Sequence, residues 1–210
     1  MLPNDPFPPS DFDAWAENYD QSTHAYPDFP FAGYDQVLQT IVELTKPQPG
    51  QVILDLGTGT ANLAMLFDQL GCELWCTDFS PLMLEKARQK LPQAHFALHD
   101  LRAAAWPSEF NRRFAGIVSA YVFHHFELEK KVSLCRELVS QRLVPGGRLV
   151  IGDLSFPSLA TKKTFSRDIP DWEEECFWLV DEALIALQKA GLEVAYRQVS
   201  TCAGVYQIQG

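Results

Sequence analysis

The 210-residue sequence predicts an α/β fold: a doubly wound, seven-stranded, mostly parallel sheet that closes with an antiparallel C-terminal hairpin. Three observations carry this. Short, almost continuously apolar runs such as 51–56 (QVILDL) and 147–153 (GRLVIGD) suit strands covered on both faces. They alternate with stretches long enough and amphipathic enough to be helices. The last two strand-like segments, near 192–199 and 203–209, lie too close in sequence for a parallel crossover, so they must pair antiparallel.

The elements follow in order. Residues 1–10 hold four prolines and read as an extended arm. Residues 11–20 place Phe12, Trp15 and Tyr19 on one face of a short helix. Residues 33–45 form a second helix with Val37, Leu38, Ile41, Val42 and Leu44 as its apolar side, stopped by Pro47, Pro49 and Gly50. The first strand leads through a Gly/Thr-rich turn into a helix over 61–70, ended by Gly71. A strand at 72–77 is followed by Ser80 and Pro81, an N-cap and first-turn proline for a helix reaching Leu91. Strands at 94–98 and 114–121 come next. A helix over 127–141 then shows Leu128, Val132, Cys135 and Val139 on one side. A VPGG turn leads into the fifth strand, and a helix over 180–190 precedes the hairpin. The expected organisation is one domain: a cap (1–48), a core (50–155), an irregular lid-like segment (154–180), and the last helix and hairpin (180–210).

Composition narrows the class. Hydrophobic residues make up 47% and aromatics 12%, which indicates a globular chain. A net charge of −10 disfavours a nucleic-acid partner and suits either solubility alone or a cationic or neutral small substrate. The cysteines Cys72, Cys76, Cys135, Cys176 and Cys202 are odd in number and irregular in spacing, so they read as reduced, small apolar residues of a cytoplasmic protein. No apolar run reaches the ~20 residues of a membrane span, and the N-terminus lacks the pattern of a signal peptide.

The strongest motif is VILDLGTGTANLA, residues 52–64. A strand ends at Asp55, and Gly57 and Gly59 allow a sharp turn whose main chain a ligand can approach. The helix that follows points unpaired N–H groups at that ligand. An empty tight turn would leave Asp55 buried without a purpose, which is costly. Asp78 ends the second strand, 21 residues after Gly57. There a carboxylate bonds the ribose hydroxyls of an adenosine ligand, or serves as N-terminal charge for the next helix; the spacing favours the first. In FALHDLRA, residues 96–103, Asp100 is placed to accept an adenine amine and Leu101 to offer its N–H to the ring.

Together these motifs resemble the class I S-adenosylmethionine-dependent methyltransferases, closely over 50–155, and most of all uncharacterised bacterial small-molecule members. The resemblance implies a Rossmann-like methyltransferase fold, S-adenosyl-L-methionine as cofactor and a small-molecule acceptor. It assigns Asp55, Gly57, Thr58 and Gly59 to the methionine part, Asp78 to the ribose, Phe79 and Met83 to packing on ribose and adenine, and Asp100 and Leu101 to adenine. Ala120 and Tyr121, in IVSAYVFHHF, would lie near the sulfonium, and Tyr19, in WAENYD, over the carboxylate end. LVPGGRLVIGD matches the family's turn into strand five. Met83 is equally well read as ordinary core. The family's usual third glycine is Ala61 here; a residue that favours the helix should have a small effect on affinity.

His124 and His125 fall just after strand four, where open α/β sheets hold their ligands. Either could serve as general base for an acceptor hydroxyl or amine, or one could cap the sheet while the other orients a loop. No metal site is expected: His24, His95 and His99 show no metal-ligand spacing. Trp172 with Glu173, Glu174 and Glu175 forms an acidic patch, either a solvated helix face or a contact for a cationic group. The acceptor region is expected to be aromatic, from Trp15, Tyr19, Tyr26, Phe29, Phe31, Phe123, Phe156, Phe165, Trp172 and Phe177. Two other readings stand beside the enzyme: a non-catalytic cofactor-binding or interaction protein of the same fold, and a nicotinamide oxidoreductase. The second is disfavoured because Asn62 stands where the dinucleotide fingerprint needs glycine.

Overall fold

The computed structural model describes residues 8–25, 28–103, 105–169 and 175–209. Its elements run α1 (Pro9–Trp15), α2 (Tyr19–Ala25), α3 (Tyr34–Thr45), β1 (Val52–Leu56), α4 (Asn62–Asp68), β2 (Glu73–Asp78), α5 (Pro81–Lys90), β3 (His95–Leu98), β4 (Phe114–Ala120), α6 (Leu128–Glu137), β5 (Leu143–Phe156), α7 (Leu159–Ser166), β6 (Trp178–Leu179), α8 (Val180–Lys189), β7 (Glu193–Gln198) and β8 (Ala203–Gln209). The sheet order is β3-β2-β1-β4-β5-β8-β7. Strands β3, β2, β1, β4 and β5 pair parallel, while β8 pairs antiparallel with both β5 and β7. The expected hairpin is therefore present, with its second strand inserted against β5. The two-residue β6 adds an eighth strand, parallel to the end of β5 inside the segment expected to be irregular.

Apolar side chains fill both faces of the sheet. One cluster packs α3, α4 and α5 through Val37, Ile41, Leu63, Phe67 and Ala87 against Ile53, Cys76 and Val150. The other packs α6 and α8 through Leu134, Cys135, Ala183 and Leu187 against Leu54, Ile117, Leu149 and Tyr206. Two-sided coverage is what makes β1 and β4 read as unbroken apolar runs.

Several local expectations shift. The single helix over 11–20 is two helices, broken at 16–18, and Trp15 points half into solvent. In α3 the buried set is Tyr34, Val37, Leu38, Ile41 and Thr45; Val42 and Leu44 are only partly covered. Thr45 satisfies its hydroxyl on the Ile41 carbonyl, which lets a polar residue take the core position. The helix over 127–141 ends at Glu137 and passes into a wider turn at Leu138–Arg142; its buried face is Lys131, Leu134 and Cys135. VPGG lies within β5 as a bulge: Phe114 pairs with Leu143, and Gly116 next pairs with Arg148. Ser80 caps α5 as expected, accepting the Met83 N–H at 3.1 Å.

Helix α3 lies close on the sheet because Gly152 and Gly116 have no side chains. A Cβ on Gly152 would meet Val37 at 2.5 Å and Ile41 at 2.7 Å; one on Gly116 would meet Thr45 at 2.8 Å. Gly152→Ala is expected to overpack this layer and cost about 1–3 kcal/mol. Urea unfolding should show a lower midpoint with an unchanged slope.

Candidate active site

The strand order reverses between β1 and β4, and the loops at the carboxyl ends there enclose a cavity of about 600 Å³. Its wall takes Gly57 and Gly59 from the loop after β1, Asp78 and Phe79 after β2, Asp100 to Arg102 after β3, and Ala120 to Val122 after β4. The two glycines serve different ends. At Gly57 (φ +64°) a Cβ would lie 2.3 Å from Val122, so the fold itself excludes one. At Gly59 (φ +53°) it would meet open space, so the constraint there is the backbone conformation.

Asp78 ties the floor together. Its buried carboxylate accepts the Gly59 N–H at 2.8 Å and the Ser80 N–H at 2.9 Å, joining the loops after β1 and β2. Burial, against these two bonds, pushes its pKa up to about 6. Asp55 lies beneath the wall rather than on it: it is 1% exposed and accepts the Thr58 hydroxyl at 2.8 Å. Burial raises it to about 7, with the Thr58 bond opposing and the charge of Asp78 adding. Thr58 is likewise buried and forms no part of the lining.

Ala61 corrects an expectation. It is not inside the helix but precedes α4 as its N-cap with φ +72°, a left-handed conformation that alanine resists. The absent glycine therefore costs backbone strain, and the gain in helix propensity does not arise.

The two N-terminal helices close the cavity from above, each pinned by an acid. Asp13 of α1 accepts the Ser80 hydroxyl at 2.5 Å and the Leu82 N–H at 3.3 Å. Asp20 of α2 accepts the Thr60 hydroxyl at 2.5 Å and pairs with Lys90 at 2.6 Å. Phe12 then rests edge-on against Phe79 at 4.9 Å and against His125 at 5.5 Å. Tyr19 lines the cavity beside Phe31, and its hydroxyl bonds Tyr34. Tyr34 stacks on Tyr121 at 5.3 Å. Tyr121 has φ +57°, an uncommon conformation for an aromatic residue, and its buried hydroxyl has no partner among the described residues.

The same cavity is lined by a polar cluster. His124 Nδ1 lies 2.5 Å from Asp153 Oδ1, and its Nε2 lies 3.3 Å from Glu175. His125 Nδ1 lies 4.0 Å from the same Glu175 oxygen. Asp153 is fully buried and also accepts the Trp178 indole N–H at 2.9 Å. Burial alone would lower His124, but the charge and hydrogen bond of Asp153, helped by Glu175, hold it above its ordinary value. Burial and then the charge of His124 push His125 down to about 3.

All but two of the sequence-predicted site residues line this one cavity, the exceptions being Asp55 and Thr58 just beneath it. Met83 lines it while also buried as core. The Asp100 carboxylate takes Arg102 Nε at 2.9 Å and Nη2 at 2.8 Å, so the acid expected to face adenine is already ion-paired. Of the expected aromatics, Trp15, Tyr19, Phe29, Phe31 and Phe177 line the wall. Phe123 and Phe156 belong to the core, Phe165 packs behind Phe29, and Tyr26, Trp172, Glu173 and Glu174 lie outside the described residues. Asp153 and Arg102 were not singled out in sequence as site residues, and Glu175 only as part of an acidic patch, not as a partner of the histidines. The only local signal for Asp153 is an acid ending an apolar strand. His95, on the edge strand, stacks on Trp75, and His99 is buried against Trp106.

A family model described as a methyltransferase domain matches residues 53–147. An uncharacterised methyltransferase of Geobacillus kaustophilus is 31% identical over 201 residues, covering 89% of each chain. One from Geobacillus thermodenitrificans is 30% identical with the same coverage. The chain belongs to the class I S-adenosylmethionine-dependent methyltransferases. Solved structures share the fold: the DhpI–SAM–HEP complex at TM-score 0.73 and 18% identity, covering 96% of this chain and 95% of that one. Magnesium protoporphyrin IX methyltransferase from Synechocystis with bound SAH follows at 0.72 and 16%, covering 96% and 97%. This methyltransferase thus takes S-adenosylmethionine as cofactor, and the nicotinamide and non-catalytic readings are set aside. Among the described residues no helix is long and apolar enough to cross a membrane.

The chain's residues fit that cofactor: a left-handed Gly59 with open space before it, a buried Asp78, and an orphaned Tyr121 hydroxyl. Asp55 yields a prediction that needs no ligand. Its folded pKa of about 7 exceeds its ordinary 3.8, so its burial costs little stability below pH 3.8. The cost grows as pH rises between the two values and is complete above 7. Asp55→Asn, which can still accept from Thr58, should therefore raise Tm more at pH 8 than at pH 5, by on the order of 2 kcal/mol in differential stability. Thermal melts of both proteins at the two pH values check it.

Proposed function

We propose that this enzyme methylates a small-molecule acceptor bound between the aromatic cap and the His124–His125–Glu175 cluster. The observation that carries the reading is one continuous cavity of about 600 Å³ lined by the glycine turn, Asp78 and the two histidines together. That volume is in the small-molecule range and leaves little space for a macromolecular segment once a nucleoside ligand is bound. Magnesium protoporphyrin IX methyltransferase, among the structural neighbours, supports the class.

When bound, the cofactor supplies an electrophilic methyl group on a sulfonium. In this reading Gly57 and Gly59 offer main chain to the methionine part from above Asp55 and Thr58, and Tyr19 covers its carboxylate end. Asp78 holds the ribose, and Phe79, Met83 and Leu101 pack around ribose and adenine. Asp100, shared with Arg102, faces the adenine. Ala120 and Tyr121 border the methyl. Phe29, Phe31 and Phe177 hold the acceptor and exclude water. His124 suits the role of base better than His125: Asp153 fixes its ring through Nδ1, and its Nε2, facing Glu175 at 3.3 Å, would exchange the proton. Much of the rate then comes from positioning. From the segment expected to be a lid, Ile169, Glu175 and Phe177 line the cavity and would cover the acceptor. Five free cysteines suit a reducing cytoplasm.

Asp78→Ala should weaken S-adenosylhomocysteine binding by about 10- to 150-fold, the weight of hydrogen bonds to a buried charge, measured by calorimetry with melting checked alongside. The acceptor class is tested with methyl-labelled cofactor and a cell extract split by ultrafiltration. An enzyme-dependent labelled product other than the cofactor is expected in the small-molecule filtrate; product label confined to protein or nucleic acid would overturn the reading.

A further inference from the structure

The polar cluster has the composition and spacing of a metal site. One ligand atom from each of His124, His125 and Glu175 lies within 4.8 Å of the other two. His124 Nε2 and Glu175 Oε2 are 3.3 Å apart, and His125 Nδ1 and the same oxygen 4.0 Å. Two ligands bound at about 2.0–2.2 Å to a tetrahedral ion stand about 3.3–3.6 Å from each other, so small rotations bring all three into place. Two imidazoles and one carboxylate, with a face left open, form the donor set of catalytic zinc sites. All three residues line the cavity, so the open position faces the acceptor space.

The groups behind these ligands are already arranged. A metal-binding histidine usually donates its other ring N–H to a carboxylate, and Asp153 accepts from His124 Nδ1. Asp153 is itself anchored by the Trp178 indole and the Leu154 N–H. On the other side, buried Lys131 donates to the Cys176 carbonyl, fixing the backbone next to Glu175. The third ligand, distant in sequence, is thereby held in register with the histidine pair.

We propose that His124, His125 and Glu175 bind a divalent transition-metal ion of the zinc type, with an open coordination position directed at the acceptor space. The proposal rests on the functional reading and replaces the base role of His124, whose Nε2 would hold the ion: the ion would bind an acceptor oxygen, nitrogen or sulfur beside Tyr121 and keep it deprotonated, its proton passing to water. The alternative for the same contacts is an ion pair, with a proton on His124 Nε2 in place of the metal.

The test uses tag-free enzyme treated with chelator and then titrated with zinc chloride by calorimetry. One zinc per chain is expected, at micromolar affinity or tighter. His125→Ala and Glu175→Gln should each weaken binding more than about tenfold. Cys176→Ser, the neighbouring thiol, should leave it unchanged. Cobalt(II) added to the wild-type protein should give visible ligand-field bands without a thiolate charge-transfer band, a readout that stands even if a variant does not fold. No zinc binding, binding lost in Cys176→Ser, or a thiolate band would each overturn the proposal. Because the readout is metal binding, its failure is separable from failure to methylate a small molecule.

Discussion

The Asp78 carboxylate joins two loops that would otherwise be independent. By taking the Gly59 and Ser80 N–H groups it makes the turn after β1 and the start of α5 a single surface. The same charge stands almost alone: burial raises its pKa, and the compensation comes from backbone donors rather than a cation. A polar ligand meeting it would complete a site already desolvated, without reorganisation at the moment of binding. The cavity floor, the placement of Phe79 and the seating of α1 through Ser80 follow from this junction.

The cap depends on two more carboxylates. Asp13 and Asp20 each reach across from a seven-residue helix to a hydroxyl on the floor, and Asp20 adds the Lys90 ion pair. Such short helices have little stability of their own. They hold their place because aromatic contacts to Phe79, Phe31 and His125 bury one face while the acids lock the register. A roof fastened at a few polar points is well suited to opening for ligand exchange and closing over the reactants.

The histidine wall is built by a different economy of charge. A histidine with acids on two sides, a neighbouring neutral histidine and a buried lysine lie around the β5–β6 junction. Like and unlike charges in so dry a region must be matched closely, which fixes both rings relative to the cavity. The extra strand β6 is part of that matching: it carries Trp178, whose indole holds Asp153.

The sequence by itself determined the sheet, its parallel body and antiparallel hairpin, because two-sided burial writes unbroken apolar strands and a short link forbids a crossover. It also marked Gly57, Gly59, Asp78 and the His124–His125 pair, since local spacing after a strand places residues at its carboxyl end whatever the rest of the chain does. Boundaries and faces that rest on competition between packing partners were less legible: the break between α1 and α2, the buried Lys131 face of α6, and the bulge in β5. Ala61 misled because its identity suggests helix while its position demands a left-handed backbone. Only the tertiary structure brought Asp153 and Glu175, 29 and 51 residues beyond His124, onto one imidazole. Contacts between elements so far apart leave no periodic trace. They are decided by how β5, β6 and the 3-10 turn at Phe123–His125 pack, and the chemistry of the cavity rests on them.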